Sequence, residues 1–313
     1  MGAWPETKFG ELLGGSMVGI FGSRTSGQIR LVGVALVGAL LATSPLCAAN
    51  PTDATSRREA KEEAIRAIPW RNLSHQQRRA VQGVVRKPSI YRRLPTRVVQ
   101  CDADLFTFLM QNPEIVADTW RSMGVSKVKI QRIGEHTFRA EDGLGTTGRF
   151  SFLDQSWDDK AFNRALIYAE GGFEGKPFPH PIRARCVMLM RSGSVVETNG
   201  RTYVTARGDS FVDIKQVGVE IVEKKEQPWV GKTEGYNFTE TLKFVSNFSQ
   251  AAERNPSGVE RFTEKLDQID DATRDELNRL CRAAADRHAE LEQARANVAQ
   301  RTSAVSAAAV THK

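Results

Sequence analysis

The chain has 313 residues, of which 40% are hydrophobic and 26% charged, and a formal net charge of +7. The positive charge is uneven, because residues 53–97 hold twelve Lys or Arg and only four Asp or Glu. The length is sufficient for a full hydrophobic core, as one medium domain with flanks or as two small domains. The excess positive charge therefore belongs to this one segment and is not a property of the rest of the chain.

The first 49 residues match a secretory signal peptide. Leu31 to Ala42 is an uninterrupted apolar run, Arg24 and Arg30 precede it, and small residues follow up to Ala49. A helix of about a dozen residues spans about 18 Å, which is short for a bilayer core of about 30 Å. We therefore expect cleavage near Ala49 and an exported protein, periplasmic or secreted. An uncleaved membrane anchor is one alternative, and a lipoprotein modified at Cys47 is another, which the large Leu46 before that cysteine disfavours. No later segment is apolar enough to span a membrane.

A basic helical arm is predicted over residues 50–95. Ser56 with Glu59, and Ser74 with Gln77, match the capping-box pattern of a helix start. The apolar stripe of the second helix is narrow, so we expect the arm to lie against another surface. A second extension, residues 255–313, is predicted to be a helical tail with a disordered end.

The segment between these extensions, residues 96–254, changes from helical to alternating periodicity. A short extended run, Thr96 to Gln100, precedes a helix capped by Asp102; a second helix follows Asn112-Pro113 and ends at Gly124. Alternation then predicts an antiparallel meander. Its strands include residues 148–153, 165–170, 182–190, 202–214 and 219–224, with turns at Gly171-Gly172 and at Asn199-Gly200, the latter a type I′ hairpin signal. An amphipathic helix from Phe238 to Arg254 closes the segment.

This order of elements resembles the START-like (Bet v 1-like, SRPBCC) helix-grip superfamily. The resemblance is carried by Thr96–Gln100, Asp102–Gly124 and Phe238–Arg254. The chain also resembles uncharacterised exported proteins of planctomycete-type bacteria. The resemblance implies an α+β fold in which an antiparallel curved sheet of about six or seven strands grips a C-terminal amphipathic helix, here with helical N- and C-terminal extensions. It also implies an apolar cavity between that sheet and helix.

Catalytic and cofactor patterns are lacking in the sequence. Residues 143–148 match G-x-G-x-x-G, but the chain continues as a strand and not as a helix, so we interpret them as a hairpin turn. The five histidines are scattered, and no pair has the spacing of metal ligands. Cys101, Cys186 and Cys281 remain after cleavage. The sequence is compatible with either a Cys101–Cys186 disulfide or three buried free thiols. We predict no metal site, no cofactor and no catalytic residue.

The favoured hypothesis is a non-enzymatic binder of a small apolar ligand or lipid. The candidate cavity-lining residues are Phe108, Trp120, Phe150, Phe152, Met188, Met190, Phe244 and Phe248. The arm supplies a candidate anion-binding set for a membrane surface or cell-wall polymer, but not for nucleic acid: Arg78, Arg79, Arg86, Lys87, Arg92 and Arg93. The alternatives are a structural or protein-interaction protein with a filled core, and a hydrolase or other enzyme of the helix-grip class.

Overall fold

The computed structural model describes residues 53–157, 162–175, 180–215 and 227–310, with side chains throughout except at 227–234, 236 and 304–310. The helices are α1 (Arg58–Ala67), α2 (His75–Val85), α3 (Ala103–Gln111), α4 (Pro113–Ser122), α5 (Gln227–Arg254), α6 (Pro256–Thr263) and α7 (Asp271–Val310). The strands are β1 (Ile90–Arg93), β2 (Arg97–Gln100), β3 (Lys129–Gly134), β4 (Thr137–Glu141), β5 (Thr146–Ser156), β6 (Asn163–Phe173), β7 (Ile182–Val196) and β8 (Thr202–Ile214). The predicted signal peptide and the predicted strand over residues 219–224 lie outside the described residues.

The strands form one antiparallel, open sheet in the order β1-β8-β7-β6-β5-β4-β3, with β2 also pairing with β8. Strands β3 to β8 are a meander, as the close spacing of alternating segments predicts. The chain is therefore an α+β protein with a long helix after its last described strand, which confirms the predicted fold class at this level. In the described part of the chain, no helix has the length and apolar character needed to cross a membrane.

Local sequence signals account for most helix boundaries. The Ser74–Gln77 capping box is present at the start of α2, and the Asp102 side chain accepts hydrogen bonds from the backbone of Asp104 and Leu105 at the start of α3. Gly124, which follows α4, has a φ of 69°, the left-handed conformation that glycine tolerates. The capping box predicted at Ser56 is wrong, because α1 begins one residue later and no side chain caps it.

Two predicted turns also differ from the structure. Gly171 and Gly172 lie inside β6 and not between strands. The β7–β8 hairpin exists, but Glu197 pairs with Arg201 across a three-residue loop in which Gly200 has a φ of 72°. This geometry is a longer loop than the two-residue type I′ turn that the Asn-Gly pair predicts.

The two faces of the sheet bury different extensions of the chain. One face, which we call the arm face, carries Leu166, Val187, Leu189 and Phe211 and packs against α1 and α2. The narrow stripe of the arm is therefore buried against the sheet, as predicted. The opposite face, which we call the groove face, carries Ala165, Met190, Val204 and Ala206.

The main core lies on the groove face at its β2 and β8 end. Leu242, Val245 and Phe248 of α5 are buried there, each with at most 1% of its surface exposed. Helices α3, α4, α6 and α7 complete this core, with α7 contributing Leu277 and Ala284. The predicted tail is thus a short helix followed by a long one, and the long helix begins inside the core.

Candidate functional site

A pocket of about 370 Å³ lies on the groove face, where β4, β5, β6 and β7 run side by side. Its floor is a row of small residues that pair in register across the four strands: Ala140, Gly148, Gly171 and Ala184. We call these four residues the small-residue row. Phe150, Ala169 and Cys186 line the pocket from the adjacent register row. Because the row carries almost no side-chain volume, it leaves space above the sheet.

The glycines of the small-residue row are required by the backbone. A Cβ atom at Gly148 would lie 2.7 Å from the carbonyl oxygen of Glu170, and one at Gly171 would lie 2.5 Å from that of Thr147. These distances are below any normal carbon–oxygen contact, so β5 and β6 approach each other too closely for a side chain. Glycine inside a strand is the sequence signal that could have located this pocket.

Aromatic residues form the wall on the core side of the pocket. The ring of Phe150 stacks on Phe138 with centroids 4.9 Å apart, and Phe152 meets Phe138 edge-on at 5.9 Å. Phe138 and Phe152 belong to a separate small core cluster with Ala165 and Met190. The pocket is therefore bounded by a packed, apolar layer.

The opposite rim of the pocket is polar and ordered by one carboxylate. Asp142 Oδ1 accepts hydrogen bonds from the backbone of Leu144 at 2.7 Å and of Thr146 at 2.9 Å, which shapes the β4–β5 turn. Partial burial raises the pKa of Asp142, but hydrogen bonds from Thr146 and Leu144 outweigh it and the net pKa is lowered. Residues 143–145 thus form the turn of the β4–β5 hairpin beside the pocket, and residues 146–148 begin β5, so the segment is part of a hairpin as interpreted from the sequence.

The eight predicted cavity-lining residues are divided among different environments. Phe150 alone of the eight lines this pocket. Phe152 and Met190 lie in the neighbouring core cluster, and Met188 is half-buried on β7. Phe244 and Phe248 are fully buried in the main core, and Phe108 and Trp120 pack at its edge. These four residues therefore pack in the main core and do not line the pocket.

The predicted anion-binding residues do not form one cluster. Arg78, Arg79, Arg86 and Lys87 are exposed on or just after α2. Arg92 and Arg93 are adjacent in β1 and therefore point to opposite faces of the sheet.

Arg93 lies on the arm face, where its Nε donates to Asp209 Oδ1 at 2.8 Å and its terminal nitrogen to Glu63. Arg191 bridges the same two carboxylates, at 2.7 Å to Glu63 and 2.8 Å to Asp209. These pairs attach α1 to the sheet, so Arg93 is engaged within the protein.

A second, polar pocket of about 230 Å³ lies between β2, the β7–β8 hairpin, α5 and α7. The carboxylate of Asp102 pairs there with Arg287 at 2.8 Å. Burial raises the pKa of Glu253, whose carboxylate lies 3.8 Å from His288 and 3.9 Å from Arg201. The Asp102 carboxylate already pairs with Arg287 of α7 and caps the start of α3. We therefore interpret this pocket as part of the attachment of α7.

Where the structure describes them, the cysteines and acidic residues form no metal centre. None of the three cysteines in the described ranges is in a disulfide. Burial raises the pKa of the Cys281 thiol to about 12 and raises that of Cys101 as well. No group of His, Cys, Asp and Glu within the described residues could hold a metal ion.

Comparison with known proteins gives only remote similarities. No family model matches the chain, and a search of curated proteins found no match. Among solved structures, a conserved protein from Geobacillus kaustophilus is 11% identical, with 50% of this chain and 93% of that chain covered and a TM-score of 0.34. A hypothetical protein from Helicobacter pylori is 12% identical over 50% of this chain and 87% of that chain, with a TM-score of 0.32.

A dicamba monooxygenase bound to dicamba is also similar, at 11% identity over 67% of this chain and 61% of that chain, with a TM-score of 0.28. At these TM-scores the similarities carry no argument about what this chain binds. The pocket must therefore be interpreted from its own residues.

Proposed function

We propose that this protein is a non-enzymatic binder of a small apolar ligand, held in the groove-face pocket of a helix-grip fold. The observation that carries the proposal is the pocket itself, about 370 Å³ with walls formed mainly by apolar side chains and strand backbone. Pockets of this size and lining are typical of small-molecule sites. In the same proposal the chain is exported, on the evidence of its first 49 residues.

The helix-grip assignment is supported by strand order and by the position of α5. β1 pairs with β8, the last strand that the structure describes, and the meander runs from β8 back to β3. Helix α5 lies on the groove face, where Phe238 is 3.7 Å from the position of a Cβ on Gly208. The two helices α3 and α4 are inserted between β2 and β3, as the superfamily order requires.

The proposal is tested by filling the pocket. Ala169→Leu and Ala184→Leu each add a branched side chain on the groove face, and we expect them to weaken binding of the neutral fluorophore N-phenylnaphthylamine by roughly tenfold. Ala294→Leu makes the same chemical change on an exposed part of α7 and should leave binding unchanged. Fluorescence titration measures the affinities, and urea unfolding checks that the variants fold.

Two results would count against the proposal. One is wild-type protein that does not bind the fluorophore and that carries no hydrophobic molecule in native mass spectrometry. The other is pocket-filled variants that fold and bind the fluorophore as tightly as wild type, because the fluorophore would then occupy a different surface.

A further inference from the structure

Three arginines lie side by side on the arm face, one on each of three neighbouring strands. Arg164 of β6 pairs in register with Arg191 of β7, and Arg191 pairs with Arg207 of β8. Arg164 and Arg191 are two residues from Leu166 and Leu189, so side-chain alternation places this row on the arm face. Neighbouring strands are about 5 Å apart, and like charges directly opposite one another on a sheet are unfavourable. The row therefore requires anionic partners.

The two carboxylates next to Arg191 and Arg207 are already shared by other arginines. Arg93 donates hydrogen bonds to Asp209 Oδ1 and to Glu63 Oε2. Arg191 donates to the other oxygen of each carboxylate, Asp209 Oδ2 and Glu63 Oε1. Arg207 lies 3.8 Å from Glu63 and donates no hydrogen bond to a described residue. All four carboxylate oxygens are thus occupied without it.

Arg207 is therefore the surplus cation of this cluster. Arg164, at the other end of the row, is neutralised by Asp154 at 3.0 Å. The four arginines of the cluster thus face only three carboxylates. Burial and the charges of Arg191 and Arg93 lower the pKa of Arg207, so its cation is less favourable here than in water. A further anion beside Arg207 would remove this penalty.

The surplus arginine is also the most accessible member of its cluster on β1, β7 and β8. Side-chain exposure rises from 12% for Arg93 to 21% for Arg191 and 31% for Arg207. In the next register row, the exposed Thr205 of β8 pairs with Gly193 of β7. Thr205 is two positions from Arg207, so its hydroxyl is on the same face. Gly193 has no side chain to fill the space beside that hydroxyl.

We propose that Arg207 and Thr205 bind the phosphate group of a small organic phosphate or of a lipid headgroup, with Arg191 adding positive charge. A tetrahedral oxyanion can accept two hydrogen bonds from the guanidinium fork and a third from the hydroxyl. The site lies on the opposite side of the sheet from the apolar pocket, so it is independent of the proposed function and adds a second ligand.

The test measures binding of inorganic phosphate by isothermal titration calorimetry, with chloride keeping the ionic strength constant. Wild type should bind phosphate at millimolar concentration, and Arg207→Met should weaken this binding roughly tenfold. Arg207→Lys should lose part of the affinity, because it keeps the charge but not the fork. Arg139→Met, which changes an exposed arginine of β4, is the matched control and should bind as wild type does.

Urea unfolding without phosphate separates a binding role from a structural one. If Arg207 is a surplus cation, Arg207→Met should have the same urea midpoint as wild type or a higher one, because it removes an unfavourable charge. A midpoint lowered as far as in Glu63→Gln would show that Arg207 is a structural ion-pair partner, and this result would overturn the proposal.

Two further results would also overturn it: wild type that does not bind phosphate, and a folded Arg207→Met variant that binds it as tightly as wild type. Should Arg207→Met not fold, Arg207→Lys takes its place in this comparison. Sedimentation with phosphatidylglycerol vesicles identifies the source of the phosphate group. Vesicle binding that is lost in Arg207→Met supports a lipid headgroup, whereas phosphate binding without such vesicle binding supports a soluble organic phosphate.

Discussion

Single carboxylates determine how the N-terminal arm is held on the sheet. Glu63 of α1 contacts Arg191 and Arg93, and Arg207 lies 3.8 Å away. The hydrogen bond from Arg191 is the main cause that lowers the pKa of Glu63 to about 2, against an opposing effect of burial. The pKa of Arg207 is also lowered, because burial and the charges of Arg191 and Arg93 disfavour its cation. The cluster thus has more cationic than anionic groups, and Glu63 is the member supplied by the arm.

The first prediction concerns pH. Since the pKa of Glu63 falls from 4.5 to about 2 on folding, its stabilising effect is complete above pH 4.5 and is lost as the pH falls towards 2. Its side chain is 39% exposed, so solvent screening reduces the effect to about 1 kcal/mol. Urea unfolding near neutral pH and at about pH 3 should therefore show a smaller acid-induced loss in Glu63→Gln than in wild type. Glu59→Gln, an exposed change on the same helix, should follow wild type; equal losses in all three proteins would contradict the assignment.

At the scale of the elements, α7 is attached through the start of α3. Asp102 caps α3 with its Oδ1 atom and pairs with Arg287 through Oδ2. In the sequence, Leu277, Ala284, Leu291 and Val298 recur every seven residues, but Arg287 occupies a position that a coiled coil would fill with an apolar residue, which weakens a coiled-coil interpretation. The structure explains the interruption, because Arg287 faces a carboxylate 185 positions earlier in the chain.

The second prediction separates the two roles of Asp102. Asp102→Ala removes both the cap and the ion pair, and it should lower the free energy of unfolding by about 1–2 kcal/mol. Asp102→Asn preserves a good N-cap and removes only the charge, so its loss should be about 0.5 kcal/mol, similar to that of Arg287→Met. Urea denaturation measures all three variants. A loss in Asp102→Asn as large as in Asp102→Ala would show that the ion pair, and not the cap, dominates.

Elements whose boundaries depend on neighbouring residues are well predicted from the sequence. β8 has the predicted bounds Thr202–Ile214, and the caps at Ser74, Asp102 and Gly124 are local patterns of a few residues. The pocket, in contrast, could not be predicted from neighbouring residues. Its small-residue row comes from four strands, and only the register brings the four positions together. Before the register is known, a lining residue such as Phe150 is indistinguishable from a core residue such as Phe244.

At the scale of the whole molecule, the N-terminal arm and the C-terminal tail both contribute buried residues to the hydrophobic cores. Neither extension is independent of the central segment. Leu277, Leu280, Cys281 and Ala284 of α7 are buried in the main core. The arm buries Ala64, Ile68, Val81, Val84 and Val85 against the arm face. By contrast, residues 292–303 of α7 are mostly exposed, with Val298 63% exposed. The alternative of a protein-interaction role, which would use that exposed part, stays a prediction.

The third prediction is that a chain ending at residue 270 does not fold. Each large apolar side chain lost from a core costs about 2–5 kcal/mol, and the total stability of a domain is only about 5–15 kcal/mol. A chain ending at residue 296 keeps every residue of α7 that the structure describes as buried, and it should unfold cooperatively like the full-length protein. Circular dichroism during heating distinguishes the two. A cooperative transition in the shorter chain would show that the main core is complete without α7.

The pairing of β1 with β8 also has a consequence for synthesis. Tyr91 and Arg93 of β1 find their partners Phe211 and Asp209 only after more than a hundred further residues have been added. The main core also cannot form until α7, near the end of the chain, has been synthesised. Ribosome-bound nascent chains therefore cannot complete either core early, and folding must follow release of nearly the whole polypeptide. Because both cores depend on these distant contacts, we expect them to form late in folding, which leaves an interval in which the chain is still extended enough to be passed through a narrow channel.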